Sequence, residues 1–325
     1  MRALQFFVEC VLIATIVGMG VSIGVALIER VTRRWTDRFA PSRRSDLFFV
    51  AALLPAMCAI AVTTAAAGPS LLALFDLHHD HCGTHLHHAH LCLLHDFDIP
   101  ALRIGLGVAA LTVLALQAIR FGVALFAQQR TLSALEALGR ESGDGRFSIV
   151  RLPGEPRLCH AVGVHRRRVL LSDSLAHAIS ECELKAALAH EEAHHDRWDG
   201  LAALLLRTSA ILSAPYVMRS VIAAHRVAIE EAADSRAARI VGSPRLVAEA
   251  ILAVARVQVL RPDLLQHGIT SGDIERRVTR LLDGADDRPS VGLFGVASVC
   301  LFASMFILLG AHPIHHAVES LLHLI

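Results

Sequence analysis

The sequence predicts a mainly α-helical integral membrane protein. Four transmembrane helices accompany one polar α+β domain that carries a small β-sheet. Three observations predict this. Of the 325 residues, 54% are hydrophobic, and the mean hydropathy is +0.51, too apolar for an ordinary soluble protein. Apolar runs of bilayer length lie at 10–28, 47–75, 101–127 and 291–311. Between the last two, residues 128–290 turn polar and helical in pattern. The formal net charge is only +1, so bulk charge gives no reason to expect direct nucleic-acid binding.

The first run, 10–28, carries no charge and is long enough to cross the lipid bilayer. It exceeds the core of a signal peptide, about 7–15 residues, and lacks a small-x-small cleavage site, so it reads as a retained span. Arg30, Arg33, Arg34, Arg38, Arg43 and Arg44 follow in the loop 29–46. Such a cluster marks the cytoplasmic side. The second span is expected to be interrupted at Gly68-Pro69. Arg120 sits near the cytoplasmic end of the third, where its head can snorkel to water. The polar domain 128–290 is then cytoplasmic and both termini lie outside, as in a multi-pass protein of a bacterial inner membrane.

The loop 76–100 therefore faces outward. It holds His78, His79, His81, Cys82, His85, His87, His88, His90, Cys92 and His95. Imidazole and thiol are ligands for zinc, copper and nickel, and a His-rich tract is a compositional sign of metal binding. Metal sensing and unspecific metal capture are equally compatible with it. Cys82 and Cys92 can also pair as a disulfide in an oxidising compartment. The tail adds His312, His315, His316 and His323 on the same side.

The chemistry-bearing stretch is His190-Glu191-Glu192-Ala193-His194, the pattern H-E-x-x-H. Ser180 and Glu183 ahead of it look like a capping box, which opens a helix. On a helix, i and i+4 share a face, so His190 and His194 can grip one metal ion. Glu191 then stands beside that ion, placed to act as general base on a bound water. A chance match in a His-rich chain is the bland alternative; the apolar helical face around the motif argues against it. A two-His zinc site needs a third protein ligand. Glu230 is the candidate, although the adjacent Glu231 competes. Asp234, four residues on, can hold a ligand histidine by its second ring nitrogen.

Around the motif, 147–152, 162–164 and 169–171 read as short strands whose edge can accept an extended peptide. Residues 201–218 are apolar except for Arg207. A full span there would separate Glu230 from His190, so the stretch is expected to be a buried or membrane-dipping helical hairpin turning near Pro215.

The stretch Leu184 to Asp199 resembles the BlaR/MecR family of membrane zinc metallopeptidases, whose pattern is roughly L-x-x-V-L-A-H-E-x-x-H-x-x-R-x-D. Glu230 to Asp234 matches that family's E-x-x-x-D box. Ile274 to Leu282 is similar to its E-R-R-[IV]-x-x-L-L segment. The resemblance covers roughly 130–285. It implies a gluzincin-like zinc peptidase with one Zn2+ held by His190, His194 and Glu230. It also implies cleavage of a protein substrate such as a BlaI-like transcriptional repressor in signal transduction. The family's penicillin-binding sensor is expected to be missing, because His312–Ile325 contains no S-x-x-K serine motif. HtpX-like quality-control proteases share the two zinc boxes but usually place two spans before them. A metal transporter, the reading from another class, needs ligands inside its spans, and the expected spans contain no His or Asp.

Overall fold

The computed structural model describes residues 2–73, 75, 100–142, 147–154, 158–163, 167–259, 271–284, 295, 298, 301–302, 305 and 310–323. The ten outward-loop residues His78 to His95 named above, and most of the expected fourth span, lie outside the described residues. The chain is mostly helical with one small sheet. Three helices are long and apolar enough to cross a membrane: α1 (Arg2–Thr36), α2 (Pro41–Ala73) and α3 (Ala101–Leu138). At 1.5 Å per residue, each is about 50–57 Å long, well beyond the roughly 30 Å of bilayer hydrocarbon.

The expected break at Gly68-Pro69 does not occur. The helix α2 runs through both Pro55 and Pro69. Its fully buried Ala59, Ala65 and Ala66 let neighbouring helices approach closely, and Phe6 and Ile13 of α1 pack on Ala66 and Ala67. That packing holds the helix across the hydrogen bond each proline removes. Glu9 on α1 and Arg103 on α3, 1% and 3% exposed, form a buried ion pair at 3.2 Å. Each of these charges, isolated in an apolar stretch of sequence, thus has a partner in the fold.

Four strands follow: β1 (Arg140–Ser142), β2 (Ser148–Leu152), β3 (Cys159–Val162) and β4 (Arg168–Ser172), in the order β1-β2-β4-β3. The pair β2–β4 is parallel and the other two are antiparallel. The three-residue, charged β1 was not visible as apolar alternation. The strand expected at 162–164 lies further upstream, at Cys159–Val162. Because Ser172 N donates to Leu158 O at 2.8 Å, antiparallel alternation turns the backbone groups of Cys159 and Ala161 toward the open edge.

Helices α4 (Asp173–Ala178) and α5 (Glu181–Asp196) come next. The expected capping box is present at the start of α5. Ser180 N donates to Glu183 Oε2 at 2.7 Å, and Glu183 N donates to Ser180 Oγ at 3.3 Å. Residues 201–218 do form a hairpin. Helix α6 (Asp199–Ser209) ends in a 3-10 turn, Ala210–Leu212, and Pro215 opens α7 (Pro215–Val241). Arg207 donates to Gln128 Oε1 on α3 at 2.5 Å, so its charge has a polar partner. Helix α7 lies with Met218, Val221 and Ala228 against Val25, Phe48 and Ala52 of α1 and α2. Helices α8 (Pro244–Val259), α9 (Ser271–Leu282) and α10 (Ala311–His323) complete the described chain. Ala186 and Ala189 of α5 pack on Ala237, Ala238 and Val247. Small alanines, rather than the leucines of its apolar periodicity, are thus the buried face of α5.

Gly18 marks a close approach of the hairpin to α1: a Cβ there would stand 2.0 Å from the Leu212 carbonyl oxygen. At Gly20 of the same helix a Cβ would meet nothing within 4 Å. Gly18→Ala should destabilise the protein by about 1–3 kcal/mol through overpacking. Gly20→Ala should be neutral or gain about 0.5–1 kcal/mol. Thermal unfolding of the two variants in one detergent checks the contrast, and equal melting would refute the close approach.

Candidate metal centre

Helix α5 presents His190 and His194 on one face, with their Nε2 atoms 3.1 Å apart. Helix α7 returns Glu230 to them. Glu230 Oε2 lies 3.5 Å from His190 Nε2, and Oε1 lies 3.7 Å from His194 Nε2. A tetrahedral ion with bonds of about 2.1 Å separates its ligand atoms by about 3.4 Å. The contacts are of that size, and one ligand atom from each of the three side chains lies within 4.8 Å of the others, a cluster that could hold such an ion. Glu230 is 39% exposed, so solvent reaches the cluster.

Each histidine is backed by a carboxylate at its other nitrogen. His190 Nδ1 lies 2.9 Å from Asp234 Oδ1, an ion-pair contact without the direction of a hydrogen bond. His194 Nδ1 is 2.8 Å from Asp199 Oδ2. Such partners fix ring orientation and raise ligand basicity. Asp234 was foreseen in this role; Asp199 was not, although it closes the R-x-D of the stretch around the motif. Asp199 reaches His194 because the chain reverses sharply at Trp198, whose φ of 59° is left-handed. A bulky residue rarely adopts that conformation. The Arg167 guanidinium lies 5.1 Å from the Trp198 ring centroid and helps to hold it.

Arg277 on α9 is the anchor behind this arrangement. Its Nε and Nη2 donate to the two oxygens of Asp234 at 2.7 and 2.8 Å, and its Nη1 lies 3.1 Å from Glu230 Oε2. The sequence motif around Arg277 assigns that residue no role. Glu231, the competing carboxylate, turns away from the histidines. Arg44 binds it, with Arg276 Nε at 2.9 Å and Arg280 Nε at 3.2 Å. The ambiguity between Glu230 and Glu231 is thereby decided by where the arginines stand.

Burial opposes a charge on His190, but Asp234 and Glu230 outweigh it and push its pKa up to about 10. His194 is likewise raised despite burial, chiefly by Asp199 and against the repulsion of His190. Burial acts to raise Glu230 and Asp234, yet both are held low. His190 leads the opposing effects on Glu230, and Arg277 leads them on Asp234. The centre is a negative niche that favours a cation. Glu191 is buried on the next position of α5, and its Oε2 accepts a 2.6 Å hydrogen bond from Ala161 N on the open edge of β3. One residue past the motif, His195 Nε2 is 2.9 Å from the Arg168 carbonyl and ties α5 to β4.

A second polar chain leads from His194 to the membrane helices. Asp199 Oδ1 is 3.4 Å from Arg197 Nε, Arg197 donates to Ser45 Oγ at 2.5 Å, and His225 Nδ1 is 3.0 Å from the Ser45 carbonyl. Ser45 belongs to the first turns of α2. No family model matches this chain, and no curated protein or solved structure matches it.

Asp199→Asn should weaken metal binding about 10–100-fold, read by competition with a chelator; unchanged affinity would show that Asp199 does not support the ligand. Burial pushes the His225 pKa down to about 4, against the Ser45 carbonyl and Asp199. The unfolded chain, with histidine near 6.5, then binds more protons than the folded one between those values. Stability from His225 is fully present above about pH 6.5 and is lost as pH falls toward 4, by roughly 3 kcal/mol. His225→Gln should flatten that part of the melting-temperature profile; an identical profile would remove His225 as the titrating group.

Proposed function

We propose that this chain is a zinc-dependent endopeptidase of a bacterial inner membrane, acting on protein substrates at the cytoplasmic face. The observation that carries the proposal is the joint placement of His190, His194, Glu230 and Glu191. Three ligand atoms, one from each side chain, meet within 4.8 Å of one another, and an acid–base group stands beside them and touches a strand edge. A zinc ion bound there would polarise the scissile carbonyl and acidify a water.

The protein's own groups supply the rest. Glu191 is the general base and then the general acid. With Oε2 engaged by Ala161 N, Oε1 is the atom left to take and return the proton. Asp234 and Asp199 keep the ligand nitrogens aimed at the ion. An extended substrate adds to the edge of β3 as a further strand, where Cys159 turns both backbone groups outward and Ala161 its carbonyl, its N–H being held by Glu191. Its main chain would then run past Glu191. Arg277 keeps Glu230 ionised as a ligand.

The role we infer is signalling, with a BlaI-like repressor as substrate and the outward His-rich loop as input. The resemblance of the three sequence boxes to the BlaR/MecR peptidases supports it, as do three apolar helices preceding the centre. In this reading both termini lie outside and a fourth span follows the peptidase region.

Glu191→Gln keeps the shape of the site and removes the base. In native membranes it should retain zinc and lose cleavage by at least about 100-fold, the lower bound of a general-base contribution. Terminal-peptide mass spectrometry against wild type reads the loss. One vanished cleavage in a DNA-binding repressor supports the signalling role. Many vanished cleavages in damaged membrane proteins would replace it with quality control. No difference, with zinc bound, would overturn the peptidase reading.

A further inference from the structure

Six arginines cluster at Arg30, Arg33, Arg34, Arg38, Arg43 and Arg44, and they divide into two kinds. Arg44 is buried on Glu231. The other five are exposed, and none of them has an acidic partner among the described residues. The nearby acids do not neutralise them: Glu29 is buried, and Asp37 is bound by Arg44 and by Arg276 Nη2 at 3.0 Å.

The same turn exposes large apolar groups. Ile28, Val31 and Trp35 are 63%, 82% and 73% exposed and lie three or four residues apart, so they share one stripe of α1. At about 100° per residue, Arg30, Arg33 and Arg34 form the adjoining stripe. The buried Ser22, Val25, Glu29 and Thr36 occupy the side facing the protein. Phe39, 47% exposed, extends the apolar surface past the helix end.

Depth along the axis identifies the partner. Counting from Ile28, the last residue of the charge-free run, Arg30 and Arg34 lie about 3 and 9 Å further on. The polar layer of a bilayer is about 5–8 Å thick on each side. Ile28 therefore stands at the acyl boundary, Arg30, Val31 and Arg33 stand within the polar layer, and Arg34 and Trp35, about 9 and 10.5 Å on, lie at its outer rim with side chains that lean back toward the bilayer along the helix. Arginine takes phosphate oxygens two at a time, and an interfacial Trp prefers this depth.

We propose that the end of α1 and the turn into α2 form a binding site for anionic phospholipid headgroups. The phosphates are held by Arg30, Arg33, Arg34, Arg38 and Arg43, the upper acyl chain is covered by Ile28 and Val31, and Trp35 lies among the headgroups. The site is one residue from Arg44 and two from Ser45, the turn's links to Glu231 and Arg197. Lipid binding is independent of the peptidase reading and is tested without it.

The full chain is purified in detergent and offered phosphatidylglycerol or phosphatidylcholine, and retained lipid is counted by native mass spectrometry. Wild type should retain phosphatidylglycerol at least about tenfold better, and added salt should erode the preference. Each surface arginine contributes about fivefold, so Arg33→Gln with Arg34→Gln should lower retention more than tenfold. Arg33→Lys with Arg34→Lys, which keeps the charge that sets topology, should retain most of it. Equal retention of the two lipids by wild type, or undiminished phosphatidylglycerol on a folded Gln variant, overturns the site. So does displacement by equimolar inorganic phosphate, which would assign the arginines to a free anion. A wild-type dimer that the Gln variant abolishes, with no lipid preference, would assign the patch to a second copy of the chain.

Discussion

The buried fork of Arg277 on Asp234 is the interaction on which the candidate centre depends. Asp234 faces two ways, with its Oδ1 toward both His190 and Arg277 and its Oδ2 on Arg277 alone. A buried carboxylate is destabilised unless paired, and breaking such a pair leaves an uncompensated charge. Arg277 supplies the pairing and also contacts Glu230. One side chain from α9 therefore fixes a candidate ligand on α7 and, through Asp234, the orientation of a candidate ligand on α5. Three helices far apart in sequence are held in one geometry by groups that never touch the ion's place.

The centre also has a polarity built into its surroundings. On one side stands the open edge of β3, joined to Glu191 through the Ala161 amide. On the other lies the turn between α1 and α2, joined to His194 through Ser45, Arg197 and Asp199. In the peptidase reading, the first side receives substrate and the second connects to the membrane. The contacts to the turn are charged or charge-assisted hydrogen bonds, stronger and more directional than apolar packing. A displacement of α1 or α2 would be felt first at Asp199 and Glu231.

Glu231 shows how the fold assigns roles to identical chemistry. Glu230 and Glu231 are adjacent and chemically equal, but on a helix they point about 100° apart. Glu230 meets two histidines; Glu231 meets Arg44, Arg276 and Arg280. One becomes a candidate ligand and the other a junction between α7, α9 and the start of α2.

The sequence by itself determined what local periodicity encodes. Apolar length placed three helices long enough to cross a membrane, the Ser180–Glu183 pair placed the start of α5, and i, i+4 spacing brought His190 to His194. The demand that Glu230 and His190 lie on one side of the membrane gave the hairpin before Glu230. Tertiary structure alone decided the contacts between distant segments. It set the strand order, the continuation of α2 through Pro69, and the pairing of Glu9 with Arg103. It also set the return of Asp199 through a left-handed Trp198 and the choice of Glu230 over Glu231. The physical reason is range. Helix geometry repeats within four residues, whereas an ion pair such as Asp234–Arg277 joins residues 43 apart in sequence, and no local pattern records which of the chain's many arginines will arrive.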